Sequence, residues 1–305
     1  LPGSRIYVIT DDYKGKRRSL TMIKLVAVDL DGTLLTSEKN VTDDTIKTIR
    51  KVMDKGIYFV ISSGRNSKSA AQIQKMIGAE GQPMILHNGA IISDGTGHGR
   101  LRVTDTLSRQ TAKEFMTFCR QNDLTCAVIF GDCDEVVLNR HDADAMESFR
   151  RFSLIDDAYV ALDSDELDKA VPGYDEPNKM LVFERDPAKI AEAEKILTKA
   201  FGARLSVYKS GDEYIDAMPQ GMNKGTGLSI LMKELGIKKN EVMAIGDSGN
   251  DVGMLKLASL SVAMKNGEPY TKKAAKFITD TNDNEGVKSA LEKFISVNDN
   301  HRNLN

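Results

Sequence analysis

Cysteine is scarce in this chain, and none of it is spaced for pairing. Cys119, Cys126 and Cys133 are odd in number and form no C-x-x-C, so a disulfide framework is excluded and reduced thiols in a cytoplasmic protein are expected. The four histidines are scattered and build no zinc-like cluster. No apolar run approaches the roughly 18 residues of a membrane span, which argues against a membrane partner. An excess of positive charge is missing too: 42 Lys and Arg stand against 44 Asp and Glu, a formal net charge of −2. A nucleic-acid partner is therefore not expected. What remains is 41% apolar and 28% charged over 305 residues, the make-up of a soluble globular protein with two modest domains or one large one.

The first 21 residues precede the periodic pattern, which starts at Met22. Ile6 to Ile9 is too short for a signal-peptide core, so residues 1–21 read as a leader or cloning remnant outside the fold, with an added edge strand the lesser reading. From Met22 the chain alternates. Leu25 to Leu30 is a short apolar run, as a strand buried on both faces should be. Thr42 then caps a helix with Asp43 and Asp44 in its first turn and Ile46, Ile49 and Met53 on one face. "IYFVIS", a helix with Ala70, Ile73 and Ile77, and "PMILH" continue the rhythm, which implies βαβ units and a parallel sheet. Near Asn88 the pattern changes to a glycine-rich hairpin, a helix from Ser108, strands around "GDCD", "KMLVF", a helix from Pro187 and "RLSVY". The first rhythm returns near Glu213. The expected architecture is one doubly wound, Rossmann-like α/β core from residues 22–90 and 210–297, with residues 91–209 inserted as a small α+β unit.

Four strand or helix ends carry the chemistry. "VDLDGT" puts Asp29 and Asp31 at the end of the first strand, and "ISSGR" puts Ser63 and Gly64 at the end of the second. "NKGTG" starts a helix with Lys224, and "IGDSGND" puts Asp247 at another strand end with Asn250 and Asp251 one turn on. The D-x-D spacing alone means little: Asp132/Asp134, Asp142/Asp144 and Asp163/Asp165 repeat it in polar surroundings, where solvated turns are expected. Only Asp29/Asp31 ends an apolar strand, where a parallel sheet places its ligands. A separation of two residues would put both side chains on one side of the strand.

Together these segments resemble the haloacid dehalogenase superfamily. "DLDGTLL", "SSGR", "NGA", "MNKGTGL", "GDSGNDVGML" and "VAMKNG", in that order, are similar to its Cof-type sugar phosphatases, with departures at Asn66, where proline is common, and Gly267, where alanine is usual. The resemblance implies a phosphatase acting on a small-molecule phosphate ester such as a sugar phosphate, with an inserted cap of the larger α+β kind. Asp29 would be the nucleophile and Asp31 the acid–base partner. Ser63, Gly64, Lys224 and Asn250 would bind phosphate, with Asp251 orienting Lys224. A phosphate dianion among Asp29, Asp31, Asp247 and Asp251 meets repulsion of about 4 kcal/mol per unit pair at about 4 Å and an effective dielectric near 20. One lysine does not offset that, so a hard divalent ion is expected. Mg²⁺ suits the oxygen ligands, which the resemblance assigns to the Asp29 carboxylate, the Asp31 carbonyl and Asp247. Arg65 and Asn88 are candidates for the substrate side or for structural roles. Lys179 and Tyr208 are cap candidates for which core or surface roles are expected. A phosphomutase on the same scaffold is the alternative, followed by a non-catalytic receiver or phospho-ligand binder.

Overall fold

The computed structural model describes residues 22–95, 101–132, 135–139, 160–161, 167, 176–210 and 213–295. Residues 1–21, Asp134 and the pairs Asp142/Asp144 and Asp163/Asp165 lie outside them. The chain opens with β1 (Leu25–Val28), α1 (Asp43–Asp54), β2 (Tyr58–Ser62), α2 (Ser67–Ile77) and β3 (Met84–Leu86), then the hairpin of β4 (Ile91–Ser93) and β5 (Leu101–Val103). The middle holds α3 (Arg109–Gln121), β6 (Thr125–Phe130), β7 (Glu135–Leu138), β8 (Val160–Ala161), β9 (Lys179–Phe183), α4 (Pro187–Phe201), β10 (Leu205–Lys209) and β11 (Tyr214–Pro219). The last part runs α5 (Lys224–Leu235), β12 (Val242–Gly246), α6 (Val252–Leu257), β13 (Leu260–Ala263), α7 (Pro269–Ala274), β14 (Phe277–Ile278) and α8 (Gly286–Phe294).

The larger sheet has the order β14-β13-β12-β1-β2-β3-β4-β5, parallel from β14 to β3 and antiparallel across the hairpin. Side chains alternate along β1. Val26 and Val28 pack with Ile49 and Val52 of α1 and Val287 and Leu291 of α8. Leu25 and Ala27 pack on the other face with Leu228 and Leu231 of α5 and Met254 of α6. Burial on both faces explains why the strand reads as an unbroken apolar run, and each full-sized side chain buried there contributes about 1.5–3 kcal/mol. Thr42 caps α1 through its side chain, with Asp43 and Asp44 in the first turn. Ser108 caps α3 in the same way.

A second sheet, β10-β11-β9-β6-β7-β8, is antiparallel apart from the β7–β8 pair. One of its faces carries α3 and α4, whose Phe115, Met116, Ile190 and Leu197 meet Val128, Met180 and Val182. Sheet membership moves the expected junctions. The hairpin β4–β5 extends the larger sheet past residue 91, and β11 belongs to the smaller sheet past residue 209. Alternating apolar residues mark these strands equally well for either sheet, and only the register with a neighbour decides. Cys119 and Cys126 are buried free thiols, and no helix among the described residues is long and apolar enough to cross a membrane.

Candidate active site

Strand order reverses between the parallel neighbours β12 and β1: the strands after β1 are added outward on one side, and those after β12 on the other. A crevice opens beyond the carboxyl ends at such a switch point. Asp29 follows β1, Ser63 follows β2 and Asp247 follows β12, so three adjacent strands deliver three of the expected groups to one place. Lys224 is the first residue of α5, which Asn223 caps by accepting from the Gly225 and Thr226 amides.

Lys224 is fully buried, and its ammonium lies 2.5 Å from Asp29 Oδ1 and 2.6 Å from Asp251 Oδ1. Burial opposes its charge, yet Asp251 and Asp29 hold its pKa well above the ordinary lysine value. Asp251 accepts from three donors in all, since its other oxygen accepts from the Asp247 and Ser248 amides at 2.9 and 3.0 Å. Asp247 accepts from the Thr33 hydroxyl at 2.8 Å. It also leans over Gly32, at φ +77°, where a Cβ would sit 2.5 Å from its carboxylate. Only glycine combines that backbone with that approach. The one mark of Thr33 in the sequence is its place in the DLDGT segment.

The charges do not balance. Asp29, Asp247 and Asp251 each place one oxygen within 4.8 Å of the others, and the Lys224 ammonium pairs with two of the three. Burial, outweighing Lys224 and aided by Asp251, pushes Asp29 up to about 7; burial with Asp29 and Asp251 pushes Asp247 up to about 8. Carboxylates under such pressure take up either protons or a cation. An all-oxygen donor set with surplus negative charge fits a hard divalent ion.

Asp31 corrects the expectation of a shared strand face. β1 ends at Val28, so both aspartates lie in the following loop and strand alternation does not govern them. The Asp31 carboxylate faces Arg65, which reaches it through Nε and Nη2 at 2.8 and 2.7 Å, and Lys39 at 2.8 Å. Burial works against its ionisation, but these hydrogen-bonded cations hold its pKa down to about 2.

The remaining candidates form a second layer. Ser63 Oγ accepts from the Arg65 amide at 3.2 Å, and the Gly64 carbonyl accepts from Lys179 at 3.3 Å. Asn250 donates to Asn88 at 3.1 Å, and Asn88 donates to Asp216. Lys179 is buried and Tyr208 is half-buried. Asp132, expected as a solvated turn, instead accepts from the Ser67 amide and hydroxyl at the start of α2 and contacts buried His87 at 3.1 Å. Neither Asp132 nor Asp216 has a local sequence signal, because their partners lie 65 and 128 residues away. Asn66, the departure from proline, caps α2 by accepting from the Ser69 amide at 2.8 Å, a bond that proline has no side chain to make.

Known proteins carry the same outline. The profile of the family described as haloacid dehalogenase-like hydrolase matches residues 26–291. The 5-amino-6-(5-phospho-D-ribitylamino)uracil phosphatase YitU of Bacillus subtilis (strain 168) is 27% identical over 276 residues, covering 90% of this chain and 98% of that protein. The solved structure of BT1666 from Bacteroides thetaiotaomicron, described among phosphatases of the haloalkanoate (HAD) enzyme superfamily, superposes with a TM-score of 0.73 at 29% identity, covering 94% of this chain and all of that one. TM0651 from Thermotoga maritima has the same TM-score at 27% identity, over 90% of this chain and 98% of its own.

Proposed function

This chain belongs to the haloacid dehalogenase-like hydrolases, and on that footing we propose that it is a Mg²⁺-dependent phosphatase of small phosphorylated metabolites, sugar phosphates foremost, working through a phosphoryl group carried on Asp29. The observation that carries this reading is the meeting of Asp29, Lys224, Asp247 and Asp251 at the carboxyl ends of β1 and β12, beside Ser63. The relatives named as phosphatases support it.

Asp29 attacks phosphorus, forming a bond from its carboxylate oxygen as the bond to the leaving oxygen breaks. Asp31, which Arg65 and Lys39 hold ionised, must first take a proton from solvent or from a substrate monoanion, and it gives that proton to the leaving oxygen. It then takes one from the water that cleaves the acyl-phosphate, and the ionised form held by Arg65 and Lys39 is the form competent for this second step. Ser63, the Gly64 backbone, Lys224 and Asn250 hold the non-bridging oxygens, where charge spreads in the transition state. Asp251 keeps Lys224 charged and aimed. When bound, Mg²⁺ would neutralise carboxylate and phosphate charge and polarise a phosphoryl oxygen. Asp29, Asp247 and the Asp31 carbonyl would hold it, because Asp251 already accepts from three donors.

The smaller sheet with α3 and α4 is read as the cap, joined to the core near residues 104 and 219, where it excludes water and meets the leaving group. The buried free thiols of Cys119 and Cys126 fit a cytoplasmic setting. Phosphate release from p-nitrophenyl phosphate tests the activity. Turnover is expected with Mg²⁺, none with EDTA and none from Asp29→Asn. Metal-independent release, or an active Asp29→Asn enzyme, would overturn the reading.

A further inference from the structure

We propose that Lys179 and Asp216, an ion pair buried on the smaller sheet, are positioning residues for the phosphate-binding groups Ser63 and Asn250. The inference rests on the phosphatase reading and extends it to residues outside the four motif segments. The two side chains are fully buried and 2.7 Å apart. They come from neighbouring strands, β9 and β11, where Asp216 pairs with Leu181, two residues from Lys179 and on the same face. A buried ion pair is weak evidence for stability, because desolvation offsets most of its attraction. What the pair touches is more informative, since each partner reaches across to a different loop of the larger sheet.

Lys179 donates to the Gly64 carbonyl at 3.3 Å. That carbonyl and the Arg65 amide belong to one rigid, planar peptide unit. The amide end donates to Ser63 Oγ at 3.2 Å. A grip on the oxygen of this unit therefore fixes the hydrogen that orients the Ser63 hydroxyl. Asp216 acts through the other loop. Its carboxylate only accepts, so the Asn88 side chain must turn its amide nitrogen toward Asp216. The Asn88 amide oxygen then faces Asn250 Nδ2 at 3.1 Å. The Asn88 backbone amide also donates to the Ser63 carbonyl at 3.0 Å. Asn88 holds a left-handed backbone, φ 53° and ψ 32°, a conformation that asparagine tolerates better than most residues and that persists only where its surroundings enforce it. One ion pair thus sets the direction of two groups assigned to phosphate, and both are aligned when the smaller sheet is seated on the larger.

The test is a pair of double-mutant cycles read on p-nitrophenyl phosphate turnover with Mg²⁺ and on inhibition by orthophosphate. Asp216→Asn keeps the shape, and Asn88→Gly keeps the left-handed backbone while removing the amide. Each is expected to lower kcat/KM by about 10–100-fold, the size that a displaced catalytic group costs, and to weaken orthophosphate by a comparable factor. Asp216→Asn with Asn88→Gly should fall no more than about twofold below the worse single variant, because both break one chain. Lys179→Met should likewise add nothing further to Ser63→Ala. Where a single variant leaves an unpaired buried charge and fails to fold, the neutral double Lys179→Met/Asp216→Asn is used and should show the same loss. Wild-type kcat/KM in any folded variant lacking Asp216, or losses that multiply across either cycle, would overturn the proposal. Wild-type enzyme that releases no phosphate would defeat the phosphatase reading instead, and orthophosphate binding followed by thermal shift would still test the positioning.

Discussion

Asp29, Asp247 and Asp251 cluster where one ammonium pairs with Asp29 and Asp251, and two consequences follow at the scale of single residues. Replacing Lys224 with methionine leaves buried carboxylates facing each other without a counter-charge. The expected cost in thermal unfolding is about 3–5 kcal/mol at neutral pH in the presence of EDTA, typical of a broken buried pair. The second consequence concerns pH. Asp29 and Asp247 are raised from 3.8 to about 7 and about 8. Between those limits the folded chain holds protons that the unfolded chain has released, so stability must fall as pH rises. In EDTA the melting temperature should drop between about pH 5.5 and about pH 8.5. Added Mg²⁺ should restore it, with a larger shift at the higher pH, where it displaces fewer protons. A flat profile, or a larger Mg²⁺ shift in acid, would contradict the assignment.

Legibility in sequence divides at this scale too. Asp29, Lys224, Asp247 and Asp251 could be found because each ends an apolar strand or stands at a helix start or strand-end turn. The partners of Asp31 could not, because Arg65 and Lys39 reach it from separate loops once β1 has ended. Lys179 and Asp216 carry no local mark, since a lysine within "KMLVF" and an aspartate within "YIDAMP" gain meaning only when β9 and β11 pair.

Among the elements, strands and helices were legible from hydrophobic period and capping residues, as Thr42, Ser108 and the pattern of α5 illustrate. The sheet to which a strand belongs was not, because register with a distant neighbour decides it. The placement of α5 shows how backbone contact matters. Gly89, at φ +104°, would carry a Cβ 2.5 Å from the Asn223 carbonyl, directly before Lys224. Gly89→Ala must push the start of that helix away, and a loss of about 1–3 kcal/mol with a fall in kcat is expected. Gly56 is the control. It has positive φ but nothing within 4 Å of its Cβ position, so Gly56→Ala should cost about 1–2 kcal/mol and leave kcat unchanged. Equal kcat losses in the two variants would remove the link between Gly89 and Lys224.

Across the whole molecule, the two sheets meet through polar contacts beside the site. Asp132 from the β6–β7 turn reaches Ser67 at the start of α2 and His87, while Lys179 and Asp216 reach Gly64 and Asn88. Asp132→Ala should therefore speed amide hydrogen exchange across residues 64–70, where Ser67 loses its acceptor; unchanged protection there would show that the contact does not hold the sheets together. The central claim remains that the Asp29 side chain captures phosphorus. Its most direct test is rapid quenching of the turning-over enzyme with borohydride, followed by peptide mass analysis. Reduction of an aspartyl-phosphate converts that aspartate to homoserine, and the expected product carries homoserine at position 29 alone. Turnover with Asp29 intact, or homoserine at Asp31 or Asp247 instead, would contradict the account.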